Sequence, residues 1–297
     1  MKRELIAHRD PKSPVSEIFR TLRTNIQFMN SNKPLKSLLV TSTLPGEGKS
    51  WVSSNLAVAF AQAGKRVILI DADMRKGRLY NMFGVLPRPG LSNYLSGVIE
   101  TNQEDVNLIT YLRETEVPNL YVMPAGNVPP NPSELLVTPQ MLNLLEELKQ
   151  KCDLIIIDGT PSKLVTDAVI LSRIVDCTIV VTAHNQTKKD DLQKVIKDIK
   201  NVGGNVAGVV YNKIPTSSKK FNDTYYYSST SAAKSRMQAK TDAQTYYNKA
   251  DGQPRHATQK ATVQKEKTPE EKTAEVLKEY NDYVRAEKMN KHRREQW

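Results

Sequence analysis

From residue 37 to residue 213 apolar runs alternate with amphipathic segments, whereas from Thr216 onward apolar residues are sparse and without a sustained rhythm. Unbroken runs at Leu38-Leu39-Val40, Val67-Ile68-Leu69-Ile70 and Leu154-Ile155-Ile156-Ile157 read as strands buried on both faces. Further strands are predicted at 120–123, 178–182 and 206–211. Between them, residues 16–29, 51–62, 141–149, 166–175 and 191–199 space their apolar side chains as helices do, with shorter helical pieces at 79–83 and 91–95. Strands alternating with helices predict a doubly wound, mostly parallel α/β sheet. A ligand of such a sheet lies at the carboxyl ends of the strands.

The pattern divides the chain into an N-terminal segment (1–35), an α/β domain (36–215) and a tail (216–297) dominated by Ser, Thr, Lys, Gln and Ala. With so few aliphatic residues the tail is expected to be largely disordered. One helix is predicted there, over 269–290, because Thr268-Pro269-Glu270-Glu271 combines an N-cap, a first-turn proline and a capping-box glutamate. The chain carries a formal charge of +11, and the tail supplies about half of it, with 17 Lys and Arg against 11 Asp and Glu. Such a balance suits nucleic acid, an anionic membrane surface or acidic partners. No groove-reading motif accompanies it, so no specific nucleic acid is expected. Cys152 and Cys177 lie far apart without metal-ligand spacing, and are expected to be buried free thiols of a reducing compartment. No signal peptide and no run of eighteen apolar residues is present, so a cytoplasmic location is expected.

Chemistry concentrates after the first strand, at Thr43-Leu44-Pro45-Gly46-Glu47-Gly48-Lys49-Ser50. The glycines let backbone N–H groups converge on phosphate oxygens, Lys49 reaches the outer phosphates, and the Ser50 hydroxyl can ligate Mg²⁺. The following helix adds its positive end to anion binding. Thr43 stands where the general motif has its first glycine, so the loop is a variant.

Three carboxylates end predicted strands: Asp71 and Asp73 after the second, and Asp158 after the three isoleucines. Phosphoryl transfer is mainly positioning and charge stabilisation, needing a phosphate cradle, a metal and a group to orient the nucleophile. Asp158 beside Ser50 suits the metal. Of Asp71 and Asp73, one can hold the metal or its water and the other accept a proton. Asn212, after the last strand, is placed either against the adenine or in a strand-end turn. On the first long helix Glu17, Arg20 and Arg23 share a side; spacing alone makes this a solvated charged face.

Together these residues resemble the bacterial tyrosine kinases (BY-kinases) of capsule and exopolysaccharide synthesis, in the cytoplasmic form whose transmembrane activator is a separate polypeptide. The resemblance covers residues 12–213. It rests on a variant Walker A (Pro45-Gly46-Glu47-Gly48-Lys49-Ser50), a Walker A′ of form D-x-D-x-R (Asp71, Asp73, Arg75) and a Walker B ending at Asp158. Residues 131–136 and 165–168 also read like family segments. The resemblance implies a P-loop NTPase fold of the MinD/ParA-like type. ATP and Mg²⁺ would be the cofactors, with Lys49, Asp71, Asp73 and Asp158 catalytic. ATP would be bound by residues 45–50, Trp51, Arg75 and Asn212, and metal by Ser50, Asp73 and Asp158. Glu17, Arg20 and Arg23 match an E-x-x-R-x-x-R motif of ring-like self-association, which replaces the solvated-face reading.

The resemblance further implies autophosphorylation in trans on C-terminal tyrosines, here Tyr225, Tyr226, Tyr227, Tyr246, Tyr247, Tyr280 and Tyr283. Partners would be a transmembrane polysaccharide co-polymerase that activates the kinase and recruits it to the inner face of the plasma membrane, and a cognate tyrosine phosphatase. Each phosphotyrosine adds roughly −1.5 to −2 charges, so phosphorylation is expected to offset the basic tail and release it from neighbours. Two departures stand out. Trp51 occupies the place of a small hydroxyl residue, where it can crowd the nucleotide, and the segment after Asp158 reads Gly159-Thr160-Pro161 rather than x-P-P. Competing readings are a positioning ATPase of the MinD/ParA-like type and a non-catalytic nucleotide-binding scaffold of the polysaccharide machinery. Leu44 stands where the ATPases carry a lysine.

Overall fold

The computed structural model describes residues 4–29, 34–97 and 107–215. The tail tyrosines and the helix expected at 269–290 lie outside the described residues. Seven strands form one sheet: β1 (Ser37–Ser42), β2 (Val67–Asp71), β3 (Arg113–Glu114), β4 (Leu120–Met123), β5 (Leu154–Pro161), β6 (Cys177–Ala183) and β7 (Val206–Asn212). Their order is β3-β4-β2-β5-β1-β6-β7. All neighbours run parallel except the two-residue β3, which pairs antiparallel with β4 at the edge.

Alternation along the strands explains the two layers of helices. In β2, Val67 and Leu69 join Leu38, Val40, Leu154 and Ile156 on one face, under α1 (Ile6–Arg9), α2 (Pro14–Phe28) and α3 (Lys49–Gln62). Ile68 and Ile70 join Leu39, Ile155 and Ile157 on the other face. That face is covered by α5 (Leu91–Ser96), α6 (Pro132–Leu136), α7 (Pro139–Lys151) and α8 (Asp167–Ser172). The short α4 (Leu79–Phe83) packs on the first face, and α9 (Lys189–Asn201) covers Val180 with Val195 and Ile199.

Local chemistry sets the helix limits. Ser13 caps α2 by accepting from the Ser16 N–H at 3.2 Å, with Pro14 in the first turn. In α9, Asp190 and Asp191 lie in the first turn and Lys200 in the last, so the helix starts earlier than its apolar rhythm indicates. The helix expected at 166–175 closes at Ser172; Ile174 and Val175 continue the apolar run as a turn packed against the second core.

Residues 4–9 are strapped to α3. The Ala7 N–H donates to Asn55 Oδ1 at 3.0 Å, Asn55 Nδ2 donates to the Glu4 carbonyl at 3.0 Å, and Gln62 Nε2 donates to the Ala7 carbonyl at 2.9 Å. Leu5 and Ala7 are buried in the same core as Phe19 and Ile26. Cys152 and Cys177 are buried free thiols, as expected; burial pushes them up to about 11 and about 12. Among the described residues no helix is long and apolar enough to cross a membrane.

Candidate active site

The central strand β1, flanked by β5 and β6, ends in the phosphate loop, and α3 leaves that loop at Lys49. Gly48 forms the corner in the left-handed region at φ 98°, and a Cβ there would sit 2.2 Å from Asn212 Nδ2. Asn212 uses that nitrogen to donate to the Glu47 carbonyl at 2.9 Å. It therefore braces the loop from β7, and is not among the residues lining the cavity described below.

Glu47 also supports the loop from behind. Its buried carboxylate accepts from the Leu44 N–H at 2.7 Å and from the Thr187 hydroxyl, tying the loop to the connection between β6 and α9. Thr187 was not visible as a site residue in the sequence, because only the sheet order brings residues 47 and 187 together.

Beneath the loop one ammonium meets several carboxylates. Lys49 Nζ lies 3.3 Å from Asp73 Oδ2 and 3.4 Å from Asp158 Oδ2, and 3.2 Å from the Ser50 hydroxyl. Burial works to lower the Lys49 pKa, but the charges of Asp158, Asp73 and Asp71 outweigh it and hold the ammonium above its ordinary value. Burial raises the Asp158 carboxyl against the pull of Lys49. Its Oδ1 is buried with no hydrogen-bond partner among the described residues. A buried, unsatisfied carboxylate oxygen beside a serine hydroxyl is a fitting donor for a hard cation. Magnesium keeps several waters and takes one or two carboxylates plus phosphate oxygens, a demand that Ser50 with Asp158, and Asp73 as the other carboxylate beside Lys49, would fit. Among the described residues no cluster of three or more His, Cys, Asp or Glu forms an all-protein metal site.

The two carboxylates of the D-x-D segment separate in environment. Asp71 is wholly buried and accepts from the backbone N–H groups of Arg78 at 2.8 Å and Leu79 at 3.0 Å. Burial first, and the charge of Asp158 second, push its pKa up to about 7. Asp73 is 8% exposed and lines the cavity.

Arg75 is held by Asp167, with its guanidinium nitrogens 3.4 Å from both carboxylate oxygens. Ser133 donates to the same Asp167 and lies 3.2 Å from Arg75. The family-like segments at 131–136 and 165–168 thus meet the Walker A′ arginine, a contact that spacing in the sequence does not reveal.

These groups open onto a cavity of about 840 Å³ lined by loop residues 45, 46 and 48–51, by Asp73 and Arg75, and by Glu4, Tyr80, Met82 and Thr160 among others. Trp51 borders it, but its ring packs edge-on against Phe19 of α2, with centroids 5.1 Å apart at 64°. That contact turns one edge of the indole toward α2 while the residue still lines the cavity. Glu17 and Arg20 form an ion pair, Arg20 also donates to the Pro11 carbonyl, and Arg23 donates to the Ala59 carbonyl at 3.1 Å. All three side chains of the E-x-x-R-x-x-R motif engage, but with their own chain.

A parallel sheet with a phosphate loop at its central strand and carboxylates on the adjoining strands defines a P-loop nucleotide-binding protein of the MinD-like type. A family model described as an AAA domain matches residues 36–208. The tyrosine-protein kinase CpsD of Streptococcus agalactiae serotype Ia is 39% identical over 208 residues, covering 70% of this chain and 86% of CpsD. Among solved structures, the chimerical protein CapA2B2 matches with a TM-score of 0.67 at 36% identity, over 73% of this chain and 92% of that one. The septum site-determining protein MinD of Pyrococcus horikoshii OT3, solved as a complex with Mg-ADP, matches with a TM-score of 0.51 at 27% identity, over 62% and 72%. The chain belongs to the bacterial tyrosine kinase family.

Proposed function

We propose that this protein is an ATP-dependent protein-tyrosine autokinase that phosphorylates C-terminal tyrosines of neighbouring copies and thereby regulates capsular or extracellular polysaccharide synthesis. The observation that carries the reading is the cavity itself. Its lining runs from Lys49, Asp73 and the phosphate loop to Tyr80 and Met82, which supports the reading that an acceptor side chain would enter beside the nucleotide.

The loop N–H groups and the start of α3 bind the ATP phosphates, and Lys49 leaves its carboxylates for the outer phosphate oxygens. Ser50 and Asp158 would hold Mg²⁺, whose chemistry is to neutralise charge on those oxygens. The tyrosine oxygen attacks the γ-phosphorus, a new P–O bond forms, the bond from that phosphorus to the β–γ bridging oxygen breaks, and ADP leaves. The phenolic proton passes to a carboxylate. Asp73, which lines the cavity, suits this role once Lys49 has turned to phosphate; Asp71, held by the N–H groups of Arg78 and Leu79, is a positioning residue. Glu17, Arg20 and Arg23 are proposed for contacts between copies, and a transmembrane co-polymerase for recruitment to the membrane. A cognate tyrosine phosphatase would reverse the modification.

Phosphotyrosine mapping by mass spectrometry, after incubation with ATP and Mg²⁺ with and without an activator's cytoplasmic segment, tests the reading. Phosphate on the tail tyrosines that disappears in Lys49→Met is expected. Free phosphate released with no labelled protein would replace this reading by a hydrolase, and bound nucleotide with neither product by a scaffold.

A further inference from the structure

The main cavity continues into a second groove of about 350 Å³, and the two share Arg75, Lys76, Gly77 and Tyr80. The far wall of the groove is formed by Arg88 and residues 125–128, and Arg88 Nη1 reaches across to Asn127 Oδ1 at 3.3 Å. Arg75, Lys76, Arg78 and Arg88 are all exposed around this continuous mouth. Arg75 is committed to Asp167. Lys76, Arg78 and Arg88 form no ion pair among the described residues, and neither Asp nor Glu lines the groove. Lys76 and Arg88 in the groove, with Arg78 at its junction with the main cavity where Glu4 and Asp73 also lie, make the groove the more positive side, where an anionic side chain is favoured.

The tail as a whole is basic, so it is not drawn to this mouth by its net charge. Each of its tyrosine groups, however, has an acid just before it: Asp223 two residues before Tyr225, Asp242 four before Tyr246, Glu279 directly before Tyr280 and Asp282 directly before Tyr283. An extended chain advances roughly 3.3–3.6 Å per residue, so one to four residues span about 3–14 Å. A reach of that scale suits two pockets that share lining residues 75–77 and 80. We propose that the groove is a docking subsite for the acidic residue that precedes an acceptor tyrosine in the tail of a second copy. Lys76, Arg78 and Arg88 thereby select which tyrosines are phosphorylated. The inference rests on the kinase reading of the site and adds a specificity determinant to it.

Phosphotyrosine mapping on the full chain supplies an internal control. Asp223→Lys is expected to lower the initial rate at Tyr225–Tyr227 about fivefold, the scale of one exposed ion pair lost and reversed, while Tyr246 and Tyr247 of the same molecules keep their rate. Lys76→Glu combined with Arg88→Glu should slow every cluster of the unaltered tail, leave the KM for ATP unchanged, and restore the share of Tyr225–Tyr227 in the Asp223→Lys chain. Arg88→Gln, which adds no negative charge, should give a smaller loss and keep the melting temperature. An unchanged share in Asp223→Lys, or no recovery on charge reversal, overturns the proposal, as does a changed KM for ATP in Arg88→Gln.

If no phosphotyrosine forms at any position, the kinase reading fails and docking is judged by binding alone. A fluorescein-labelled peptide of residues 218–230 should then bind the full chain with about fivefold lower affinity when Asp223 is replaced by Lys, measured by fluorescence anisotropy. Equal affinities would overturn the subsite.

Discussion

Replacing Lys49 by Met tests whether the ammonium stabilises the empty protein as well as binding phosphate. Its partners lie 3.3 and 3.4 Å away, and its side chain is 12% exposed, as is nearly true of Asp73 at 11%; that of Asp158 is 1% exposed. At an effective dielectric constant of about 20, unit charges at that separation attract by roughly 5 kcal/mol. Desolvation of the ammonium offsets much of this, and removing one partner from a buried ionic cluster costs about 3–5 kcal/mol. For a domain of this size each kcal/mol shifts the melting temperature by about 2–4 °C, so Lys49→Met should melt about 10 °C lower without nucleotide. The loss must also depend on pH. Without the ammonium, the pull that opposes burial at Asp158 is gone, so its folded-state pKa rises further and the folded chain holds a proton that the unfolded chain releases. Stability contributed in this way is present at low pH and lost as pH rises, by about 1.4 kcal/mol per pH unit for one proton. Urea denaturation at several pH values between about pH 5 and pH 8 should show the gap between the two proteins widening, with Lys49→Arg in between. A gap of constant size, or none, would refute the electrostatic account.

Three further outcomes are expected. Asp71 titrates at about 7 when folded, above its unfolded value, so it stabilises at low pH and loses that contribution as pH rises through neutrality. Asp71→Asn should therefore flatten the fall in urea-denaturation stability between about pH 4 and pH 7. Asp158→Asn should weaken Mg²⁺-dependent ADP binding about 10- to 100-fold in calorimetry while ADP binding without metal changes little, because the substitution removes a ligand charge. Trp51→Ser, which supplies the small hydroxyl residue of the family motif, should lower stability by about 2 kcal/mol through loss of the Phe19 contact, yet leave nucleotide affinity within about twofold. Tighter nucleotide binding on that substitution would show that the indole does crowd the site.

The parts legible from sequence are those encoded by local rhythm or by a contiguous motif. Val67-Ile68-Leu69-Ile70 announced a buried strand because both its faces meet apolar layers, and Lys49-Ser50 announced phosphate because the glycines and the following helix are adjacent in sequence. Two kinds of feature were not legible. The four-residue α1 and the two-residue β3 are too short to show a period, and they exist because α3 and β4 supply their partners. Contacts such as Glu47 with Thr187, Arg75 with Asp167 and Asn212 with the loop carbonyl join residues 140, 92 and 165 positions apart. Only the strand order determines those, and no local propensity encodes it.

The segment from Asp71 to Leu79 shows how one of these non-local solutions serves two ends. The Asp71 carboxylate accepts from the Arg78 and Leu79 N–H groups, so the loop leaving β2 returns to its own origin before α4 begins. This closure leaves Asp73 facing Lys49 and sets Arg75, Lys76 and Arg78 along the cavity. A carboxylate outside the cavity lining can thus influence both Asp73 and the cations at 75–78, since both lie in the loop that its two hydrogen bonds close. Loss of Asp71 is therefore expected to affect ATP use and tyrosine phosphorylation together, whereas changes at Lys76 and Arg88 alter the rates at the tail tyrosines and leave the KM for ATP unchanged.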